Sequence, residues 1–187
     1  MTPKTICPAH RLAGPNALGT PMRRNAFTLI EILITLAIIA IALGIALPTI
    51  GSLSTTRLRE AASLLAADLE FARVDTIAHS DEPRMIVFDP ATATYHIALA
   101  SDPVTPITNP VDGQPYLVKF GLRRAGQLDG VAISSVTVDG GDNQLGFGMY
   151  GQLDQAAAAV ITLEAEGTKI DITLHPTTGE GTVGAFY

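Results

Sequence analysis

From Phe27 to Leu47 the chain runs twenty-one residues with a single charge, Glu31, and Ile32 to Leu47 has none. About 20 apolar residues suffice to cross a bilayer as a helix. A secretory signal peptide has a shorter apolar core and a small-residue cleavage site behind it. Here the apolar run is followed by Pro48 and then a helical pattern, so the segment is expected to stay in the protein. Arg23 and Arg24 stand directly before it, and the positive-inside tendency places that end in the cytoplasm and the bulk of the chain outside. This one stretch forces a single-pass anchor with a separate domain behind it.

Glu31 is the anomaly in that stretch. An acid at the centre of a membrane helix costs roughly 2.5–3.5 kcal/mol. Near the end it costs less, because water and headgroups are in reach, and the first helical turn favours a negative charge through the helix dipole. Composition alone leaves two readings open: a tolerated residue in a plain anchor, or a carboxylate with a task.

The mean hydropathy of +0.31 reflects this one segment; the rest reads as a soluble domain of ordinary polarity. Charge is also uneven. Met1 to Ala26 holds Lys4, Arg11, Arg23 and Arg24 and no acid. From Ala125 onward Lys169 is the only Lys or Arg, against Asp129, Asp139, Asp142, Asp154, Glu164, Glu166, Asp171 and Glu180. Such a surface repels phosphate backbones and argues against nucleic acid as a partner. The single Cys7 precludes an intrachain disulfide.

Read in order, a basic leader precedes Asn25-Ala26, then Phe27-Thr28-Leu29-Ile30-Glu31, then the apolar run. This resembles the class III signal of type IV prepilins and type II secretion pseudopilins. The resemblance implies cleavage by a prepilin peptidase between Ala26 and Phe27, and N-methylation of Phe27. The family usually has Gly before the cut, where this chain has Ala26. Glu31 becomes the fifth residue of the mature chain, one helical turn from the new α-amino group. The implied role is assembly: the Glu31 carboxylate faces the amine of a neighbouring subunit, removing two unpaired charges from an apolar setting and fixing axial register. A start at Met22 would leave a short basic leader, and Met1 to Pro21 reads as leader or an over-long start; the mature chain would lose Cys7 either way.

Gly44 and Pro48 interrupt helix regularity, and Pro48 is expected to kink the helix near Gly44. From Ser52 to His79, Leu58, Ala61, Ala62, Leu65, Leu69, Ala72 and Ile77 recur every three to four residues, an amphipathic helix with a packing face. Arg57, Arg59, Glu60, Asp68, Glu70, Arg73 and Asp75 fill much of the remainder. Ser80-Asp81-Glu82-Pro83 ends the helix. Beyond Pro83 the period becomes two. Strands are expected at 84–89, 95–100, 116–120, 131–138, 145–150, 159–164 and 169–174, with a proline-rich loop from Ser101 to Pro115. The fold class is therefore α+β: a long N-terminal helix, membrane-spanning in its first half, packed on an all-antiparallel β-rich domain of two packed sheets. The expected division is a leader (1–26), a transmembrane helix (27–48), its amphipathic continuation (49–82) and a β-rich periplasmic domain (83–187).

The end of the chain, "LGFGMYGQLD" and then "AVITLEAEGTKIDITLHPTTGEGTVG", resembles the GspH/FimT group of minor pseudopilins. That group shows an F-x-x-x-G turn, two paired strands and a closing T/S-x-G-x-V/I. These fall on Phe147 to Gly151, the Ile161–Leu163 and Ile170–Leu174 strands, and Thr177/Thr178, Gly179 and Val183. The resemblance implies an inner-membrane pseudopilin of a type II secretion system that assembles with other pseudopilins on an inner-membrane platform, with secreted cargo as a further partner. A type IV pilus minor pilin, or a periplasmic domain on an uncleaved signal anchor, are the alternatives.

Nothing in the sequence points to an enzyme, a cofactor or a metal. His10, His79, His96 and His175 are scattered without ligand spacing. "DGGDNQ", Asp139 to Gln144, groups acids as a calcium loop does but lacks EF-hand spacing, and a hairpin turn explains it equally well. Arg123-Arg124, the only basic doublet outside the leader, could touch an acidic partner but reads more readily as a solvated loop.

Overall fold

A computed structural model describes residues 28–46 and 52–187. Its described elements are α1 (Leu29–Ala46), α2 (Ser52–Ala78) and nine strands: β1 (Arg84–Asp89), β2 (Thr94–Leu99), β3 (Asp102–Pro106), β4 (Leu117–Lys119), β5 (Ala132–Thr137), β6 (Gln144–Gly146), β7 (Ala159–Ala165), β8 (Thr168–Leu174) and β9 (Gly181–Phe186). Helix α1 and the domain beginning at α2 belong to separate units and are described in turn.

In α1 every side chain described, from Leu29 to Ile41, is exposed. Nine of them are large aliphatics, between 48% and 85% exposed. A helix apolar all round is one that is buried in a membrane or among other helices. At about 1.5–3 kcal/mol per side chain, leaving these nine in water would forfeit roughly 15–25 kcal/mol. The described helix has 18 residues, a rise of about 27 Å against a hydrocarbon core of about 30 Å. Accordingly, no helix among the described residues is long and apolar enough to cross a membrane. The apolar sequence extends past both ends of α1, to Phe27 and Leu47, outside the described residues.

The domain is α+β, with two antiparallel sheets. One has the order β3-β2-β1-β6 with β4 also paired to β2; the other is β5-β7-β8-β9. Period-two patterning puts one row of each strand inside. In the second sheet Ala159, Ile161 and Leu163 lie opposite Leu174, Ile172 and Ile170, all fully buried. In the first, Ile86 stands between Ile97 and Leu145, and Tyr95 between Phe88 and Val118. Glu166 and Gly167 join β7 to β8 with φ of 50° and 81°, the two positive values of a tight type I′ hairpin.

Helix α2 is the element common to both sheets. Leu58, Ala61, Ala62, Leu65, Leu69 and Ala72 form its buried face and contribute to one continuous core with residues of both sheets. The helix contacts β1 in one sheet and β7, β8 and β9 in the other. Its small alanines let the backbone approach the sheets closely. Ile77, expected on this face, is 45% exposed, because it lies on the rim, over the backbone of Gly151.

Three sequence expectations are corrected. The Ser101–Pro115 stretch contains β3, which pairs with β2 at Ala98↔Pro106 and Leu99↔Asp102 across a bulge. It is an edge strand, the position where a missing proline N–H costs little. The expected strand 145–150 stops at Gly146, because the chain turns back and Gly148 N–H donates to the Gln152 carbonyl (2.8 Å). Strand β9 was not anticipated: two glycines and mostly exposed side chains hide its period.

The Phe147–Gly151 turn and the β8–β9 connection meet on α2. A Cβ on Gly179 would lie 2.0 Å from the Gly151 carbonyl oxygen and 2.9 Å from Arg73 Cδ. Arg73 itself donates to the Thr178 carbonyl (3.2 Å) and pairs with Glu70 (2.7 Å). The Glu70 hydrogen bond, opposed by desolvation, raises the Arg73 pKa. Gly179→Ala is expected to cost about 2–4 kcal/mol, from a backbone clash added to a left-handed φ of +66°. Gly113→Ala, with φ +67° but open space around it, should cost only about 1 kcal/mol. Urea denaturation of both variants checks the contrast.

Candidate functional site

Of the predicted processing and assembly residues, Glu31 lies among the described ones, in the first turn of α1. Thr28 is its N-cap: the Glu31 amide donates to Thr28 Oγ1 (3.3 Å) and to the Thr28 carbonyl (3.0 Å). Thr28-x-x-Glu31 therefore has the spacing of a capping box, with Glu31 at the third helical position. The local sequence signal for this was present but went unread. The Glu31 carboxylate is exposed, in the first turn where backbone N–H groups carry partial positive charge. Ala26, Phe27 and Pro48 lie outside the described residues. Gly44 lies within α1.

A second constellation is buried in the domain. Asp68 of α2 is 3% exposed. Its carboxylate accepts from Tyr95 Oη of β2 (2.7 Å), from Tyr116 Oη just before β4 (3.0 Å) and from the Arg124 guanidinium. Arg124 lies in the 3-10 segment Arg123–Leu128, which packs on α2, and also sits over the Tyr116 ring, 5.0 Å from its centroid. Phe71 stacks on the other side of the network at 5.3 Å from Tyr116. Periodicity had placed Asp68 with the polar filling of the helix and Arg124 in a solvated loop. Asp68 is instead buried, while Arg124 stays partly open to water and yet pairs with it; sequence spacing alone could not show that polar groups from four segments of the chain satisfy one another.

Burial, then the Asp68 charge, hold the Tyr95 hydroxyl far above its ordinary pKa. Burial also raises Tyr116, with Arg124 opposing the shift. Desolvation works against the charge on Arg124, and its contacts with Tyr116 and Asp68 overcome that, so its pKa is raised. The arrangement is a charge-compensated tie with all partners engaged. It offers no free nucleophile or base.

The remaining polar candidates are structural. In Asp139–Asn143, Asp139 Oδ2 accepts from the Ala156 amide and Asp142 Oδ1 from the Gln144 amide. Asn143 has φ +58° and gives its carbonyl to the Phe88 amide. These contacts brace the connection that carries the chain from β5 in one sheet to β6 in the other. Among the described residues, no three His, Cys, Asp or Glu side chains converge as metal ligands. His79 pairs with Asp75, His96 bonds the Pro103 carbonyl, and His175 accepts from the Thr177 amide.

Residues 21–47 match the prokaryotic N-terminal methylation motif. The match runs from the leader through Phe27 and Glu31 and ends one residue before Pro48. The fold is similar to the crystal structure of the type IV minor pilin FimU of Pseudomonas aeruginosa, with a TM-score of 0.45 and 16% identity over 68% of this chain and 93% of that one. No curated protein matches the chain in sequence.

The Asp68 network makes an alkaline prediction. Protons are held on Tyr95 and Tyr116 in the folded state above the unfolded tyrosine pKa of about 10. The folded state then binds more protons than the unfolded one, so stability is flat below about pH 10 and falls above it, by up to about 1.4 kcal/mol per pH unit per tyrosine. Denaturation from pH 8 to 11 should show the fall, and Tyr116→Phe should reduce its slope. Asp68→Ala, which leaves the buried Tyr95 and Tyr116 hydroxyls without their acceptor, should cost about 2–4 kcal/mol at neutral pH.

Proposed function

We propose that the chain is a minor pseudopilin of a type II secretion system. It is cut between Ala26 and Phe27 by a prepilin peptidase and methylated on Phe27. Residues 27–48 hold it in the inner membrane with the β-rich domain in the periplasm. On the inner-membrane assembly platform its helix docks among those of other pseudopilins to start or cap the pseudopilus that moves cargo outward. Glu31 pairs with the amine of a neighbouring subunit during docking, and Gly44 and Pro48 let the helix bend.

The observation that carries the reading is the methylation motif laid over α1. Each described side chain of that helix is exposed and nearly all are apolar. One carboxylate stands a turn beyond the expected cut. An apolar helix with one acid near its end is suited to lateral docking in lipid, where an unpaired charge favours finding a partner. The choice of secretion over a pilus rests on the C-terminal resemblance, whose turn and closing segment meet at the Gly151–Gly179 contact. The acidic surface from Ala125 onward weighs against a DNA-handling pilin.

The deciding measurement is the N-terminal residue and intact mass of the chain extracted from its own membranes. The expected product begins at methylated Phe27; a product retaining Arg23 and Arg24 would refute the proposal. Glu31→Ala should abolish pseudopilus assembly and cargo export while leaving the domain's thermal unfolding unchanged. Export at the wild-type level in that variant would remove Glu31 from the mechanism. Loss of surface pili with export intact would move the chain to a pilus.

A further inference from the structure

The sheet β5-β7-β8-β9 ends at β9, and among the described residues nothing pairs with the outer edge of that strand. An open edge is a template for another chain, and proteins normally blunt it with prolines, charges, short strands or a covering segment. The other edges here have such devices. Strand β3 begins with Asp102 and contains Pro103 and Pro106. Strands β4 and β6 have three residues each. Strand β5 lies against the 3-10 turn Pro90–Thr92. Strand β9 is six residues, Gly-Thr-Val-Gly-Ala-Phe, with no proline and no charge, and its first five residues are exposed.

The register aims part of that backbone outward. His175 N–H donates to the Glu180 carbonyl (3.0 Å), and Thr182 lies opposite Thr173. In an antiparallel ladder the residues between such positions point their N–H and C=O the other way, so Gly181 and Val183 face away from β8. Beside them, on the outer face of the sheet, lies a shallow groove of ≈ 350 Å³ lined by Thr173, His175, Thr178, Glu180 and Thr182. An added strand would set alternate side chains over it.

Charge selects the occupant. On this face Asp171 already accepts from Thr162 and Tyr187, and Lys169 pairs with Glu164 (3.5 Å). The Glu180 carboxylate has no hydrogen bond or ion pair among the described residues; it is felt by Arg73 through the field alone. A second copy of this domain would bring the same acids to the edge and be repelled. A cationic strand would be attracted.

We propose that β9 is a docking edge for an extended segment of a partner protein, which pairs with the outward backbone of Gly181 and Val183 and presents a Lys or Arg to Glu180. The mode is strand addition, in which backbone bonds supply affinity and side-chain sites supply selection. It does not depend on processing at Phe27.

The test is amide hydrogen exchange on the full chain in detergent, with alternating Thr/Val heptapeptides as probes, carrying a central Lys or a central Glu. The Lys peptide should slow exchange at Gly181 and Val183 and bind roughly three- to fivefold more tightly than the Glu peptide. Glu180→Gln should erase that preference, and Val183→Pro should remove the protection while β7 and β8 keep theirs. Absence of protection at β9 with either peptide overturns the proposal. Equal binding of both peptides overturns the cationic occupant. Protection that appears without peptide and grows with protein concentration would make the occupant a second copy and also overturn it.

Discussion

The buried Asp68 carboxylate is the interaction on which the domain's arrangement depends. A charge at 3% exposure is tolerable only with every lone pair engaged, and its donors come from places far apart in the chain. Tyr95 is in the middle of the first sheet, Tyr116 follows the proline-rich stretch, and Arg124 lies in the 3-10 segment. Only one seating of α2 brings all three to the same carboxylate. Apolar packing of Leu58, Leu65 and Leu69 would accept small slides along the sheets; the polar cluster does not. The stacked Phe71 and Tyr116 rings and the guanidinium over Tyr116 pack against the cluster, which stays partly open to water at Arg124.

Toward the C-terminal end of α2, little more than a turn past Asp68, the restraint is steric. Gly179 lies so close to the Gly151 carbonyl that it leaves no room for a Cβ, the Ile77 and Arg73 side chains crowd Gly151, and Arg73 spans the contact from the helix. Near the same end, Arg84 donates to Asp75 (2.6 Å) and its amide to Thr76 Oγ1 (2.9 Å), which fixes how β1 leaves the helix. The helix is thus pinned to one sheet by charge and to the other by a glycine contact.

Legibility followed the range of the interactions. Helix α2 was expected over Ser52–His79 and runs Ser52–Ala78, because its period is local and Pro83 marks its end. Strands β7 and β8, with unbroken alternation and a Glu-Gly turn, were equally plain. The Asp68 network was not legible, since Asp68, Tyr95, Tyr116 and Arg124 look ordinary in their own windows and acquire meaning only in three dimensions. Strands β3 and β9 were missed for a related reason: edge strands are held by pairing more than by burial, so proline and glycine there mask the period. The Thr28 cap was different, being a four-residue signal beside a carboxylate that had drawn attention for its charge alone.

That cap bears on what Glu31 can do. In the monomer the acid is at the third position of α1, near backbone N–H groups that lack intrahelical partners. Its charge is therefore moderated before any neighbour arrives, which lowers the cost of holding it in an apolar setting. The same placement aims it toward the end of the helix where processing would create an amine. A carboxylate two or three turns deeper would be dearer to insert and out of that amine's reach. One turn in, it costs little to hold and would lie within reach of the amine that the proposed assembly requires.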